Sequence, residues 1–237
     1  MSSQSNGARP GPRPFPVPGG AMRLILSVLF CLGGFALLVG LGVWQVQRLA
    51  WKEGVIAGIE ARIGAAPVDL PAAPDPATDS YLPVRVEGAV GDGRLRVFGT
   101  WRVGGAGHRI VVPLETGARR VMVDLGVTPE GTEPLPARLA VTGNLDWPDE
   151  SGGATPAPEG DLWFGRDVTA MAEALGTEPV MVVARAVEPS APTRLAPVGT
   201  DGIPNNHLGY AVQWFGLALV WAGMTAYLGW RITRRTV

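Results

Sequence analysis

Two long uncharged stretches, one near each end of the chain, constrain the fold more than any other feature. Leu24 to Val43 is twenty residues without a charge, and Leu208 to Trp230 is a second such run. A helix rises about 1.5 Å per residue, so twenty residues cover about 30 Å, the thickness of a bilayer's hydrocarbon core. Both runs are too long for an ordinary buried core helix. The composition agrees, with 46% hydrophobic and 17% charged residues, against about 25% charged in soluble domains. A cleaved signal peptide suits the first run poorly. The run exceeds a signal core, and Trp44-Gln45-Val46-Gln47 follows it instead of a small-x-small site.

Charge placement predicts the orientation. Arg231, Arg234 and Arg235 follow the second run, and no basic residue lies close before it. By the positive-inside rule its C-terminal end is cytoplasmic. Arg9, Arg13 and Arg23 precede the first run, but Arg48 and Lys52 follow it, so that run is ambiguous alone. Two spans put both termini on one side and the middle of the chain on the other. That middle holds all 21 acidic residues, between Glu53 and Asp201, beside 12 basic ones. Basic ends around an acidic middle do not suggest a nucleic-acid binder, which concentrates positive charge on its folded part. Nineteen of the 20 basic residues are Arg. With abundant Ala, Gly and Pro, this suggests a GC-rich bacterial genome and hence a bacterial inner membrane with the middle in the periplasm.

These readings predict an α+β membrane protein, in which two transmembrane helices flank a mainly antiparallel β extramembrane domain with one short helix. Residues 1–22 are expected to form a disordered cytoplasmic tail, Pro/Gly-rich and without apolar periodicity. Its prolines also oppose the amphipathic helix of a mitochondrial presequence. Residues 23–47 form the first span, its helix running on to about residue 63 because Val55, Ile56, Ile59 and Ile63 share one stripe. Residues 64–206 form the β-rich domain, 207–230 the second span and 231–237 a cytoplasmic tail. Strands are expected at Val84 to Glu87, Arg94 to Phe98, His108 to Leu114, Arg119 to Val127, Arg138 to Leu145 and Val180 to Val187. Gly91-Asp92-Gly93 reads as a hairpin turn into the second of these. The one soluble helix spans Val168 to Leu175, with Asp167 as N-cap and Gly176 as terminator.

Catalytic signals are scarce. There is no G-x-S-x-G, P-loop or H-E-x-x-H pattern. Gly104-Gly105-Ala106-Gly107 lacks the strand–helix context of a phosphate loop and reads as a turn. One cysteine and two histidines exclude a Cys/His zinc cluster, a disulfide framework and a copper-binding Cys pair. His108 reads as a solvated residue of a Gly-rich loop. The membrane edge is richer. Trp44, Arg48 and Trp51 recur at i, i+4 and i+7, and His207, Tyr210 and Trp214 at i, i+3 and i+7, one helix face in each case. If the faces meet, they make an aromatic-walled site with one imidazole and one guanidinium. It suits a flat, apolar, anionic ligand such as a haem, which needs an axial imidazole, apolar walls and cations for its propionates. The competing reading is an aromatic belt with an interfacial His and an Arg on lipid phosphates.

The same residues resemble a known family. Gly42-Val43-Trp44-Gln45-Val46-Gln47-Arg48-Leu49-Ala50-Trp51-Lys52 is similar to the G-x-W-Q-x-x-R-x-x-W-K signature of the surfeit-locus family of cytochrome c oxidase assembly factors. Asn205-Asn206-His207-Leu208-Gly209-Tyr210-Ala211-Val212-Gln213-Trp214-Phe215 resembles its N-x-H-x-x-Y-A-x-Q-W-F signature. Between them Tyr81-x-Pro83-Val84-x-Val86-x-Gly88, Val111-Val112-Pro113-Leu114 and Trp163-Phe164-x-Arg166-Asp167 appear in family order. The chain departs from the pattern at Val123-Asp124-Leu125-Gly126-Val127-Thr128-Pro129, where the family usually carries Val-Asn-Arg-Gly-Trp-Val-Pro; partner contacts through that turn are thereby in doubt. The resemblance implies no enzyme, but a factor that matures haem–copper terminal oxidases. It implies transient contact with haem a, with His207 as the iron ligand and Arg48, Trp44, Tyr210, Trp214 and Trp51 around it. The implied partners are the catalytic subunit of cytochrome c oxidase, haem a synthase and membrane lipid. The alternative is a scaffold that holds the catalytic subunit without touching haem.

Overall fold

A computed structural model describes residues 19–101, 105–153 and 155–234. Most of the expected N-terminal tail, Gly104 of the glycine loop and Arg235 lie outside the described residues. By contacts the chain divides into a helical unit, up to Lys52 and from Asn205 onward, and a sheet unit, Glu53–Pro204.

The two uncharged runs are helical. α1 is Gly20–Ile63 and α4 is His207–Thr233. The most apolar part of α1 is not buried at all, and only 11% of that of α4 is. Leu24, Leu29, Leu32, Leu37, Val212, Leu219 and Met224 are all exposed. The core helix of a soluble fold would bury these side chains, so the two helices have the length and surface of candidate membrane spans. At the far end of α1 the carbonyl of Ile63 accepts from Asn144 Nδ2 at 3.1 Å and from Arg185 Nη1 at 2.9 Å. A helix C-terminus leaves its last carbonyls without partners, and these two donors fill that need.

The sheet unit contains β1 (Val68–Asp69), α2 (Pro76–Asp79), β2 (Pro83–Val90), β3 (Leu95–Trp101), β4 (Gly105–Thr116), β5 (Arg119–Thr128), β6 (Arg138–Asp146), β7 (Leu162–Trp163), α3 (Val168–Leu175) and β8 (Met181–Glu188). The strand order is β1-β2-β6-β8-β5-β4-β3-β7, with β4 also paired to β2. Strands β2, β6, β8, β5 and β4 therefore close on themselves. Alternate residues of all five point into one core, among them Val84, Val112, Leu114, Val123, Leu125, Val141 and Val182. The intervening residues Val111, Met122, Met181 and Val183 face outward and meet Leu95, Val97, Trp163 and the Met171 face of α3. Both faces of β4, β5 and β8 are covered, and their cores read as near-continuous apolar runs for that reason, interrupted in β5 by Asp124.

The fold is α+β with a mainly sheet domain, as expected. β5 pairs with β8 in parallel, and β1 with β2 and β3 with β7 likewise, so the sheet is mixed. α3 spans the expected residues. Asp167 Oδ1 accepts from the Ala170 N–H at 3.0 Å, and Gly176 ends the helix at φ 61°. The expected hairpin at Gly91-Asp92-Gly93 does not form. β2 and β3 both pair with β4: β3 takes residues 105–111, and β2 meets Leu114 and Glu115. One twelve-residue strand serves two partners, and the Gly91 N–H donates to Pro113 O instead of crossing a hairpin. His108 belongs to β4, not to a loop. It is half-buried, with Nδ1 3.0 Å from Pro129 O and its ring 5.3 Å from that of Phe98.

Candidate functional site

Within the helical unit α1 and α4 are antiparallel and meet along a seam. On α1 the buried and half-buried positions include Cys31, Gly34, Leu38, Leu41, Gln45 and Leu49, with Val39 and Gly42 beside them; on α4 they include His207, Ala211, Trp214, Ala218, Trp221 and Thr225, with Ala222 beside them. Alternating steps of three and four residues keep one stripe facing the partner helix. Trp221 packs near the Cys31 end of the seam. Its Nε1 donates to Cys31 O at 2.9 Å, and its ring lies 5.4 Å from Phe30. A Cβ on Gly34 would stand 2.6 Å from the Trp221 ring, and one on Gly42 would stand 2.7 Å from Phe215. The glycines thus admit these rings against the α1 backbone.

At the other end of the seam His207 Nδ1 lies 2.8 Å from Gln45 Oε1. Gln45 is 8% exposed and His207 is half-buried. The Trp44–Arg48–Trp51 and His207–Tyr210–Trp214 faces, whose meeting the spacing left open, do not pack directly on each other. His207 and Trp214 sit in the seam, while Trp44, Trp51 and Tyr210 are more than half exposed. Arg48 is exposed too, with its Cζ 4.2 Å over the Trp51 ring. The seam follows the stripe of small and apolar residues, and that stripe puts Gln45, not Trp44, opposite the imidazole.

The exposed residues are nevertheless on one side. Helical residues advance by about 100°. Measured from Gln45 on α1 and from His207 on α4, Gly42 and Phe215 turn roughly 60° and 80° one way, and they touch. Phe30 and Trp221 turn roughly 60° and 40° the other way, and they touch. Like-signed turns therefore share a flank of this antiparallel pair. Arg48 and Tyr210 each turn about 60° to the Phe30 side, Trp44 about 100° and Trp51 about 120°. The aromatic and cationic residues singled out in the sequence line one flank of the helix pair, with His207 and Gln45 in the seam beside them. A groove of about 420 Å³ lies along Asn205, Asn206, Gly209, Tyr210 and Gln213. It is an open surface, lined by polar residues around the Tyr210 ring, and His207 is not among its lining residues.

Sequence reasoning missed a polar centre in the sheet unit. Arg109 Nε donates to Asp124 Oδ2 at 2.7 Å, and Arg166 Nη1 lies 3.6 Å from the same oxygen. Arg109 Nη2 donates to Ala196 O at 2.8 Å and Arg166 Nη2 to Glu150 Oε1 at 2.6 Å. Asp124 is fully buried and Arg109 is 6% exposed. The network backs a cleft of about 380 Å³ whose lining includes Tyr81, Trp101, Asp146 and Gly199. Trp101 receives both guanidinium groups on its ring, at 5.2 and 5.9 Å. Tyr81 has φ 68°, a conformation non-glycine residues rarely adopt. Its N–H donates to Leu145 O and its carbonyl accepts from Asn144 Nδ2. Burial pushes the Asp146 carboxyl above its ordinary range, and the Arg166 charge only partly opposes this. Burial pushes Glu150 up as well, but the hydrogen bonds and charge of Arg166 outweigh it and hold Glu150 below the usual range. Two cations facing two or three carboxylates leave no net positive charge for an anion. Among the described residues no group of three or more His, Cys, Asp and Glu is placed to hold a metal. Tyr81 and Arg166 come from two of the quoted motifs and Asp124 from the altered turn. Polar residues in those motifs were the available signal.

With this geometry in place, comparison with known proteins decides the lineage. Residues 32–219 match the SURF1 family. The chain belongs to that family. Surfeit locus protein 1 of Rattus norvegicus is 29% identical over 83% of this chain and 72% of its own length. The SURF1-like protein of Drosophila melanogaster is 30% identical over 84% and 77%, and Surfeit locus protein 1 of Homo sapiens 30% over 80% and 71%. The matched span runs from α1 through the sheet unit into α4 and contains the positions of both Gln45 and His207. The five motifs quoted from the sequence had named the right family.

Proposed function

We propose that this protein is an assembly factor for a haem–copper cytochrome c oxidase, not an enzyme, and that it presents haem a to the catalytic subunit from the His207 end of its helix pair. Family membership supports the assembly role. The observation that carries the haem reading is His207 itself: an imidazole in a family signature, one nitrogen engaged by Gln45 and the other left for a metal. A haem supplies an iron that accepts one axial nitrogen. Here His207 would offer that nitrogen, Tyr210 and Trp44 apolar walls, Arg48 a cation for a carboxylate, and Trp214 and Trp51 the flanking rings. Detergent-solubilised protein purified from haem-a-producing cells should carry the haem a absorption spectrum. Protein that is folded, saturated with its oxidase partner and free of haem would favour the scaffold reading instead. That second reading draws on the exposure of Trp44, Trp51 and Tyr210 and on the stacking of Arg48 over Trp51, as in an aromatic belt at a membrane surface.

In this proposal α1 and α4 cross the inner membrane of a bacterium, both termini are cytoplasmic and the sheet unit is periplasmic. The basic residues Arg231, Arg234 and Arg235 after the second span support that orientation. A reporter active only outside the membrane should work when fused near Gly153 and fail when fused after Val237. The reverse pattern would rule the orientation out.

A further inference from the structure

The Gln45–His207 contact decides which imidazole nitrogen is available. Gln45 is the buried polar residue of the helical unit, 8% exposed on a stripe otherwise made of Gly, Leu and Cys. A carboxamide buried between apolar helices needs a partner, because an unmet buried polar group is costly. Its partner is His207, 2.8 Å away through Oε1 and Nδ1. An amide oxygen only accepts hydrogen bonds. The matching imidazole therefore carries its hydrogen on Nδ1 and its lone pair on Nε2. Free histidine has no such constraint, and a ring nitrogen that carries hydrogen cannot bind a metal. Metal-ligating histidines are generally held this way, the non-ligating N–H donating to an oxygen that sets both tautomer and ring orientation.

We infer that Gln45 is a positioning residue that holds His207 in the Nδ1–H form and so keeps Nε2 as an electron-pair donor to a metal centre. This rests on the haem reading above and deepens it. The contact joins the W-Q pair of the first quoted motif to the histidine of the second, 162 positions apart in this chain. Gln supplies a neutral acceptor. Glu at the same position would accept equally but add a charge, and Leu or Met would fill the seam without accepting.

The test has two readouts on the full-length protein in detergent. The first needs no haem. In ¹⁵N-histidine-labelled His108→Gln protein the only remaining ring is His207, and its nitrogen signals report which atom carries hydrogen. Nδ1–H is expected with Gln45, and a shift of population towards Nε2–H in Gln45→Leu. An Nε2–H ring in the Gln45 protein would mean that the amide donates through its nitrogen, and would overturn the inference. The second readout is haem a titration followed by absorption. Gln45→Leu should weaken binding by about ten- to a hundredfold, the usual effect of losing an outer partner of a metal-bound histidine, and Gln45→Glu should restore most of it. Circular dichroism and unfolding temperature check that each variant keeps its helices. Equal affinity in Gln45→Leu and wild type would overturn the positioning role while leaving haem binding intact. Absence of haem binding by wild type would overturn the haem reading and with it the ligand role of Nε2. The nitrogen signals tell that failure apart, since they report on Gln45 without haem.

Discussion

Asp124→Ala should destabilise the sheet unit by about 3–5 kcal/mol, the usual cost of removing one partner from a buried ion pair. Asp124 has no exposed surface, and its Oδ2 faces the Arg109 and Arg166 guanidinium groups at 2.7 and 3.6 Å. Its Oδ1 also accepts from the Gly126 N–H at 3.0 Å. Alanine would leave one guanidinium that is 8% exposed and another that is 13% exposed beside no shared counter-charge. Gly126 would lose its acceptor as well. That turn cannot easily shift to recover: Gly126 has φ 94°, and a Cβ there would stand 2.2 Å from Arg194 O. Asp124→Asn isolates the charge, since its amide oxygen can still accept from Gly126. It should cost less than alanine but remain destabilising, even though the family usually carries Asn at this position, because Arg109 here has Asp124 as its ion partner. Asp161→Ala is the control. Asp161 pairs with Arg96 at 2.8 Å but is 52% exposed, and exposed pairs contribute about 0–1 kcal/mol. Denaturant unfolding followed by tryptophan fluorescence measures all three. A cost for Asp124→Ala no larger than that for Asp161→Ala would show that the network does not hold the domain.

The network also marks the limit of what the sequence discloses. Arg109, Asp124, Glu150 and Arg166 sit on β4, on β5 and in the segments before α3, and nothing local links them. Arg109 meets Asp124 across the β4–β5 hairpin at a bulge, and Glu150 meets Arg166 beside an isolated bridge, so the network depends on register and irregular backbone that local patterning does not disclose. A run such as Arg94 to Phe98 announces a strand through its alternation but not its partner. Two-residue strands such as Val68–Asp69 and Leu162–Trp163 have no periodicity to read. Features carried by local chemistry were legible: the uncharged runs, the Asp167 and Gly176 caps of α3, and the apolar face of Val168, Met171, Ala172 and Leu175. At the helix pair, residue types suggested the outcome but phase did not. The aromatic spacing at i, i+4 and i+7 drew attention to Trp44, Arg48 and Trp51. The better guide was the three-and-four stepping of Gly34, Leu38, Leu41, Gln45 and Leu49, which places Gln45 on the packed face and Trp44 beside it.

His207→Ala should remove most of the haem a that copurifies with the protein, while His108→Ala should leave it. The chain has two histidines, and His207 alone belongs to the helical unit. His108 lies in β4 of the sheet unit, with Nδ1 on Pro129 O and its ring against Phe98. Alanine at position 207 has two effects. It deletes the imidazole, and it strips Gln45 of its partner at a cost of about 1–3 kcal/mol for a buried unmet amide. Haem loss in that variant alone could therefore reflect a loosened helix pair. His207→Asn separates the effects, because its side-chain N–H groups can still donate towards Gln45 Oε1 while offering iron no imidazole nitrogen. If His207 is the ligand, both variants lose haem, and His207→Asn keeps the unfolding temperature closer to that of wild type. If the helix pair carries the protein's role without haem, His207→Asn should sustain oxidase assembly like wild type. The decisive measurement is the haem a to protein ratio of purified wild type, His207→Asn and His108→Ala, read beside oxidase activity in membranes of the same cells. Equal haem ratios in wild type and His207→Asn would end the case for His207 as the ligand.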